Sequence, residues 1–261
     1  MAKKSLFRMD WHTPVPLNRN VGLDFVRPVR YGRPMTVKFS PQMYTFLHEL
    51  EANNERDWFK ANQDRYDQYI KNPALDFIEA FGPHLSKISP HFVADTRGVG
   101  GSLFRIQRDT RFAKDKTPYK TNTGMQFRHM MGKDAHAPGF YLNLEPGANY
   151  MGCGLWRPET KVAYQIREAI DADPTGWKKA TTNKRFTDYF EIGGDSLTRP
   201  PKGYDVDHPL IEDLKRKDFI ASTRLTQKQV TSADFLKDFT DLCTRTVPFM
   251  KFICDAVNVP F

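Results

Sequence analysis

Apolar residues recur at helical spacing in three successive runs between residues 40 and 90. The first run begins at Ser40-Pro41, where a serine caps the helix and a proline suits its first turn. The second is predicted to extend from about residue 55 to residue 70, and the third begins at Pro73. Pro83 lies inside the third run and is expected to kink or split that helix. The pattern therefore predicts three helices at the start of the fold.

After these helices the pattern changes to the two-residue period of strands. From Phe140 onward, apolar residues alternate with Tyr141, Asn143 and Glu145. Four strands are predicted in this region, at residues 103–107, 121–131, 140–145 and 149–156. Because a tight turn at Pro146-Gly147 joins the last two of them, we expect an antiparallel sheet.

Helical patterns return in the C-terminal half of the chain. Further helices are predicted from Pro158 to Asp173, near Trp177, from Pro209 to Leu214, and from Ser232 onward with a kink or split at Pro248. Residues 189–192 and 219–225 are predicted to be extended. The predicted fold class is α+β, with N-terminal helices followed by an antiparallel sheet that is packed with C-terminal helices.

The composition is that of a folded, soluble protein. Of the 261 residues, 39% are hydrophobic and 13% are aromatic, which excludes the disordered class. No apolar run reaches the roughly 18 to 20 residues that a membrane-spanning helix needs, so no membrane association and a cytoplasmic location are predicted. The three cysteines lack any paired spacing, and they are therefore expected to be reduced.

The net charge of +8 is concentrated in two parts of the chain. Residues 1–38 carry eight Lys and Arg against two Asp, together with four prolines. They are predicted to form a basic, proline-rich arm, and residues 39–261 a single α+β domain. The second concentration lies between residues 97 and 128, which again hold eight cations and two Asp. Concentrated positive charge indicates an anionic partner.

The second basic region contains a motif that neither a helix nor a strand explains. From Arg105 to Lys120 it reads Arg-x-x-Arg-Asp-x-Arg-Phe-x-x-x-Lys-x-Pro-Tyr-Lys. This resembles the defining motif of a widespread, mostly bacterial family of conserved hypothetical proteins, a domain of unknown function. Three other segments also resemble that family: Asn53-Asn54 through Trp58-Phe59, Gly154 through Pro158, and Pro201 through Tyr204 with His208-Pro209. The resemblance covers roughly residues 39 to 257 and implies no particular activity.

The residue types in the motif indicate anion binding. A guanidinium group is a planar fork that pairs with two oxygens of a phosphate or carboxylate. Asp109 is expected to orient an arginine, Phe112 to anchor the loop in the core, and Pro118 to restrict the backbone before Tyr119. A rigid turn at 199–204 is expected to complete the site from the C-terminal half. The predicted ligand-binding residues are Arg105, Arg108, Asp109, Arg111, Lys116, Tyr119, Lys120, Lys202 and Tyr204.

Three functional hypotheses remain open at this point. In the first, the motif binds an anionic small molecule or nucleic acid. In the second, it belongs to an enzyme that acts on a small phosphorylated or carboxylated substrate, with Tyr119 or Lys120 in proton transfer. In the third, it is a buried ion-pair network that joins helices to the sheet. No metal is predicted, because the histidines lack the spacing of a strong site. No cofactor is predicted, and no oligomeric state follows from the sequence.

Overall fold

The computed structural model describes residues 37–132 and 137–261, so residues 1–36 of the predicted arm lie outside the described residues. The helices are α1 (Pro41–Ala52), α2 (Arg56–Ala61), α3 (Gln63–Tyr66), α4 (Asn72–Ile88), α5 (Thr160–Ala172), α6 (Pro174–Thr182), α7 (Lys184–Thr187), α8 (Ile211–Leu214), α9 (Gln227–Val230), α10 (Phe235–Arg245) and α11 (Val247–Ala256). The strands are β1 (Thr123–Arg128), β2 (Gly139–Leu144), β3 (Tyr150–Leu155), β4 (Glu191–Gly193) and β5 (Phe219–Arg224). This arrangement confirms the predicted α+β class.

The second predicted helix is divided into shorter segments. α2 ends at Ala61, and its C-cap residue Asn62 donates from both its backbone N–H and its side-chain Nδ2 to the carbonyl of Trp58. After α3, a π-helical turn over Asp67–Lys71 leads directly into α4. α4 then runs without a break through Pro83 to Ile88, so the proline does not split it. Burial of one face of α4 in the core stabilises the helix across the proline.

The five strands form one antiparallel sheet in the order β1-β2-β3-β5-β4. Residues 103–107, predicted as a strand, are not part of it, and that prediction is wrong. They pair with β1 and the residues before it through isolated bridges, Leu103 with Met125 and Gln107 with Tyr119, and through single backbone hydrogen bonds such as that from Phe104 N to the Gly124 carbonyl. Four steps along the chain separate Leu103 from Gln107, but six separate their partners. The mismatch in register requires a bulge, which interrupts a regular ladder.

Helices from both ends of the chain pack on one face of the sheet. The contact is largely aromatic: Phe81 of α4 lies 4.8 Å from Phe127 of β1 and 4.9 Å from Phe239 of α10, measured between ring centroids. The C-terminal helices divide near Pro248 as predicted, since α10 ends at Arg245 and α11 begins at Val247. All three cysteines are buried and unbridged.

A buried arginine fastens α5 to the chain that leads into β5. Arg167 is 4% exposed, and its guanidinium donates to the carbonyls of Leu214 and Arg216, both at 2.7 Å. Burial lowers the pKa of this guanidinium. The two hydrogen bonds therefore set the position of α5 relative to the sheet.

Across residues 37–132 and 137–261, no helix has both the length and the apolar character needed to cross a bilayer.

Candidate functional site

The motif folds as a hairpin beside β1. Its two arms are joined by backbone hydrogen bonds, from Arg108 N to the Pro118 carbonyl at 2.9 Å and from Lys120 N to the Ile106 carbonyl at 2.8 Å. Ile106 is 5% exposed and anchors the first arm in the core. Residues 109–117 connect the arms and are called the motif loop below.

Polar contacts within the motif loop hold its shape. Asp109 accepts hydrogen bonds from the backbone N–H of Arg111 and, with both carboxylate oxygens, from its guanidinium, at 2.9 and 2.6 Å. These bonds to Arg111 lower the pKa of Asp109. Lys116 donates from Nζ to the carbonyl of Thr110 at 2.8 Å. Asp109 thus orients an arginine, in the manner expected from the sequence.

A second ion pair closes the other side of the loop. Arg108 donates from Nη1 to Asp115 Oδ2 at 2.5 Å and to the hydroxyl of Thr117. Hydrogen bonds from the backbone N–H of Thr117, from Arg108 and from the Thr117 hydroxyl lower the pKa of Asp115 to about 2. Among the described residues, the side-chain hydrogen bonds of Arg108 use Nη1 alone. The remaining edge of the guanidinium fork is where a ligand oxygen can be received.

The ion pairs of the motif are local and close to the surface. The side chains of Arg111 and Asp115 are 73% and 59% exposed, and each partner belongs to the hairpin itself. Exposed pairs of this kind contribute little to stability. The hypothesis of a buried ion-pair network that joins the helices to the sheet is therefore wrong.

An asparagine, not an arginine, connects the motif to the N-terminal helices. Asn54 donates from Nδ2 to the carbonyl of Tyr119 and accepts with Oδ1 from its backbone N–H, both at 3.0 Å. The ring of Tyr119 stacks on that of Phe59, with centroids 4.1 Å apart and planes at 21°. The side-chain amide of Asn54 thus makes the two backbone hydrogen bonds to Tyr119 that a neighbouring strand would otherwise make.

The aromatic residue of the loop is not where the sequence indicated. Phe112 was expected to anchor the loop in the core, but its side chain is 95% exposed, so that prediction is wrong. The guanidinium of Arg111 lies over its ring, 5.9 Å from the centroid. Because the loop is held by the polar contacts above, it keeps its shape without burying the ring. Three further cations, Arg105, Lys114 and Lys116, are also exposed.

A cleft of about 340 Å³ lies between the hairpin, the end of α1 and the adjoining strands. Its size is at the lower end of the range for small-molecule sites. The cleft contains four carboxylates, two cations, three amides and three phenols. The residues that line it are Glu51, Asn54, Arg108, Asp109, Ala113, Asp115, Thr117, Tyr119, Lys120, Thr121, Asn122, Tyr141, Asn143, Glu145 and Tyr150.

A chain of side-chain hydrogen bonds orders one wall of the cleft. Asn122 Nδ2 donates to Asn143 Oδ1 at 2.6 Å, and Asn143 Nδ2 donates to Glu145 Oε2 at 3.2 Å. Asn143 is 2% exposed, so it holds the more accessible Asn122 and Glu145 in place. On the opposite arm, the ammonium of Lys120 lies 5.4 Å from the centroid of the Phe104 ring.

The structure brings together most, but not all, of the residues predicted for the site. Arg108, Asp109, Tyr119 and Lys120 line the cleft. The predicted residues Arg105, Arg111 and Lys116 belong to the same hairpin, outside the lining. Within this lining, the motif supplies both positive charges.

Lys202 and Tyr204 lie in a different part of the fold. Tyr204 packs edge-on against His208, with centroids 6.0 Å apart, and His208 contacts Asp171 of α5 at 3.0 Å. Burial raises the pKa of the Tyr204 phenol. Lys202 is exposed. Neither residue lines the cleft beside the motif.

Several residues of the cleft were missed in the reading of the sequence. Asn54 belongs to a segment that resembles the family, but its contact with Tyr119 spans 65 residues and has no local signal. Asn143 and Glu145 were interpreted only as the polar positions of an alternating strand. An amide and a carboxylate two positions apart share one face of a strand, and this was the available signal. Within the described residues, no group of three or more His, Cys, Asp or Glu is placed to hold a metal ion.

Comparison with known proteins identifies a family. A family model described as conserved hypothetical protein (DUF2461) matches residues 42–252. No curated protein matches the chain, and no solved structure does.

Proposed function

The chain belongs to the conserved hypothetical family DUF2461, and we propose that it binds a small phosphate-bearing ligand with several hydroxyl groups, of the sugar phosphate class. The observation that carries this proposal is the cleft of about 340 Å³ beside the motif loop. Its lining combines two cations with a larger number of carboxylates, amides and phenols, which can form hydrogen bonds with hydroxyl groups. A bare inorganic anion would use only the two cations.

The anionic end of the ligand is assigned to Arg108 and Lys120. Both line the cleft, and they come from opposite arms of the hairpin. An anion at the unused edge of the guanidinium leaves the contacts of Nη1 with Asp115 and Thr117 in place, and the ion pair with the mostly exposed Asp115 contributes little if it is exchanged. A guanidinium also offers the bidentate geometry that phosphate prefers.

The hydroxyl groups of the ligand are assigned to the rest of the lining. Carboxylates accept hydrogen bonds only, whereas amides both donate and accept, and hydroxyl groups can satisfy both kinds. Glu51, Asn122 and Glu145 lie at accessible positions in the lining. The excess of carboxylates over cations disfavours a ligand with several negative groups, such as a dicarboxylate. It favours one anionic group with a neutral, polar remainder.

A thermal-shift titration tests this assignment. The wild-type protein is titrated with inorganic phosphate, a pentose phosphate, a hexose phosphate and a dicarboxylate. A ligand at about 100 times its dissociation constant should stabilise the fold by about 2.7 kcal/mol. We expect the sugar phosphates to exceed phosphate and the dicarboxylate, and Arg108→Gln to remove the shift.

Arg199→Gln is the matched control, because Arg199 is an exposed arginine outside the cleft. It should respond to each ligand as the wild type does. Absence of a shift with every sugar phosphate, or an equal shift in Arg108→Gln, would contradict the proposal.

Catalysis on the same ligand is a second candidate. Tyr119 and Lys120 both line the cleft, and a phenol and an ammonium are groups that can transfer a proton. Incubation of the protein with the ligand that gives the largest shift, followed by phosphorus NMR, tests it. If the ligand is bound but chemically unchanged after long incubation, catalysis is excluded and the protein only binds the ligand.

A further inference from the structure

The hairpin of the motif carries more positive charge, and more apolar surface, than a ligand inside the cleft can use. Arg105, Arg111, Lys114 and Lys116 are exposed and lie outside the lining of the cleft. The segment 105–120 holds six cations and two carboxylates. Both carboxylates already accept hydrogen bonds from arginines of the hairpin. The outer surface of the hairpin therefore presents a net positive charge to the solvent.

Phe112 is the aromatic residue of this charged segment. Its side chain is 95% exposed, the largest value among the exposed large hydrophobic residues of the described chain. It directly precedes Ala113, which lines the cleft, and the Arg111 guanidinium lies 5.9 Å from its ring centroid. An exposed aromatic ring in a segment rich in cations is the combination with which proteins bind single-stranded nucleic acid, where bases stack and phosphates meet Lys and Arg.

We infer that the ligand is a single-stranded nucleic acid, whose terminal or exposed sugar phosphate enters the cleft while a neighbouring base stacks on Phe112. This inference rests on the function proposed above and names the molecule to which the sugar phosphate belongs. The phosphates that follow along the strand contact Arg105, Arg111, Lys114 and Lys116. A duplex does not fit this arrangement, because its bases are stacked on one another and have no face for the phenylalanine.

The amide and carboxylate wall is compatible with a nucleotide. The hydroxyl groups of a ribose meet the acceptors supplied by Asn122 and Glu145, which Asn143 holds in place. A deoxyribose offers fewer of these hydroxyl groups. RNA and DNA share the phosphate and base contacts. A difference between their affinities therefore reports on the contacts of the sugar hydroxyl groups inside the cleft.

The experiment measures fluorescence anisotropy with labelled single strands of about eight nucleotides, a length within the known site sizes of single-strand binders. RNA and DNA of one sequence are compared with a mononucleotide, which competes for the cleft but has no neighbouring base to stack on Phe112. We expect the strands to bind more tightly than the mononucleotide. We also expect their affinity to fall steeply with salt, because counterions are released from the strand.

Phe112→Ala should weaken strand binding by about 5- to 150-fold, the range that corresponds to one stacked base. It should leave mononucleotide binding unchanged. The matched control is Tyr189→Ala, since Tyr189 is also an exposed aromatic residue beside an arginine, with Arg245 4.0 Å from its ring centroid. Because Phe112 is nearly fully exposed, its replacement should not affect folding, and an unchanged melting temperature checks this.

The outcomes separate this inference from the function on which it rests. If the mononucleotide binds and depends on Arg108, but strands bind no more tightly or are indifferent to Phe112, the inference fails and the proposed function stands. If neither the mononucleotide nor any strand binds, the inference fails, and the titration with sugar phosphates decides separately whether the proposed function stands. If a duplex binds as well as a single strand, stacking on Phe112 is excluded and the inference fails.

Discussion

Asn54 is the residue on which the attachment of the motif depends. Its amide makes two hydrogen bonds to the backbone of Tyr119, both at 3.0 Å and both partly shielded from solvent. Asn54→Ala leaves a backbone donor and a backbone acceptor without their partner. We expect a loss of about 1 to 3 kcal/mol in the free energy of unfolding, measured by urea denaturation.

Asn53→Ala is the control for this prediction. Asn53 is exposed, and its side chain donates only to the carbonyl of Glu49, one turn back in the chain. This variant should lose less stability than Asn54→Ala. Equal losses in the two variants would show that the effect belongs to the end of α1 and not to the motif.

His129 makes the stability of the fold dependent on pH. The residue is 1% exposed; its Nε2 donates to the Pro260 carbonyl at 2.8 Å, and its Nδ1 accepts from the backbone N–H of Met131 at 3.2 Å. Burial lowers its pKa, and the neighbouring His91 lowers it further. The unfolded chain therefore takes up the proton first as the pH falls. The contribution of His129 is complete above about pH 6.5 and decreases below that value, toward the lower pKa of the folded state.

Thermal melts between pH 8 and pH 5 test this expectation. His129→Gln, which does not titrate, should show a flatter dependence on pH than the wild type over the acidic half of this range. His48→Gln, at an exposed histidine on α1, should follow the wild type. Parallel curves for the wild type and His129→Gln would exclude the role given to this histidine.

The position of α5 depends on one buried side chain. Arg167 supplies donors to two carbonyls of the chain between α8 and β5, and it is 4% exposed. Arg167→Met preserves much of the buried volume but leaves both carbonyls without a donor. We expect this variant to be destabilised by about 2 to 5 kcal/mol, since hydrogen bonds to charged groups are the stronger ones. Lys161→Met, at an exposed position of the same helix, should be nearly neutral in the same denaturation experiment.

Helices and strands could be predicted wherever they depend on sequence signals that lie within a few residues of each other. Proline at the first turn located the start of α1, and alternation located β2, because both signals lie within a few residues. The segment 103–107 was predicted as a strand since its local pattern is extended. The bulge that prevents a regular ladder depends on the partner strand, which the local pattern does not contain. The π-helical turn before α4 is likewise set by packing.

The site could be predicted in composition but not in arrangement. The charges of the motif identified the hairpin that lines the cleft, and Asp109 holds an arginine as expected. Phe112 was assigned to the core because an aromatic residue is usually buried, yet polar contacts hold this loop without it. Asn54 comes from a different part of the chain than Asn143 and Glu145. The convergence of these two parts is a property of the tertiary fold, and no spacing in the sequence expresses it.

The prediction for the whole molecule concerns the residue at which the folded domain begins. The core of the described residues begins at Phe39 and continues to Cys254. A protein that begins at residue 37 should therefore unfold cooperatively, with a melting temperature close to that of the full chain. A protein that begins at residue 48 loses Phe39, Met43, Phe46 and Leu47, all of which are 1% exposed or less, and should not fold. Failure of the longer version to fold would move the domain boundary toward the N-terminus.

The link between Asn54 and the backbone of Tyr119 has a consequence for redesign of the motif. Because the asparagine contacts backbone atoms, the side chain at position 119 can change without loss of these two hydrogen bonds. The motif loop is closed at its base by the hydrogen bond from Arg108 N to the Pro118 carbonyl, and among the described residues its side-chain hydrogen bonds stay within the hairpin. Residues 109–117 of this chain can therefore be replaced or lengthened as one unit while the hairpin stays in place. A variant with a different loop on the same hairpin would then carry a different ligand site on the same fold.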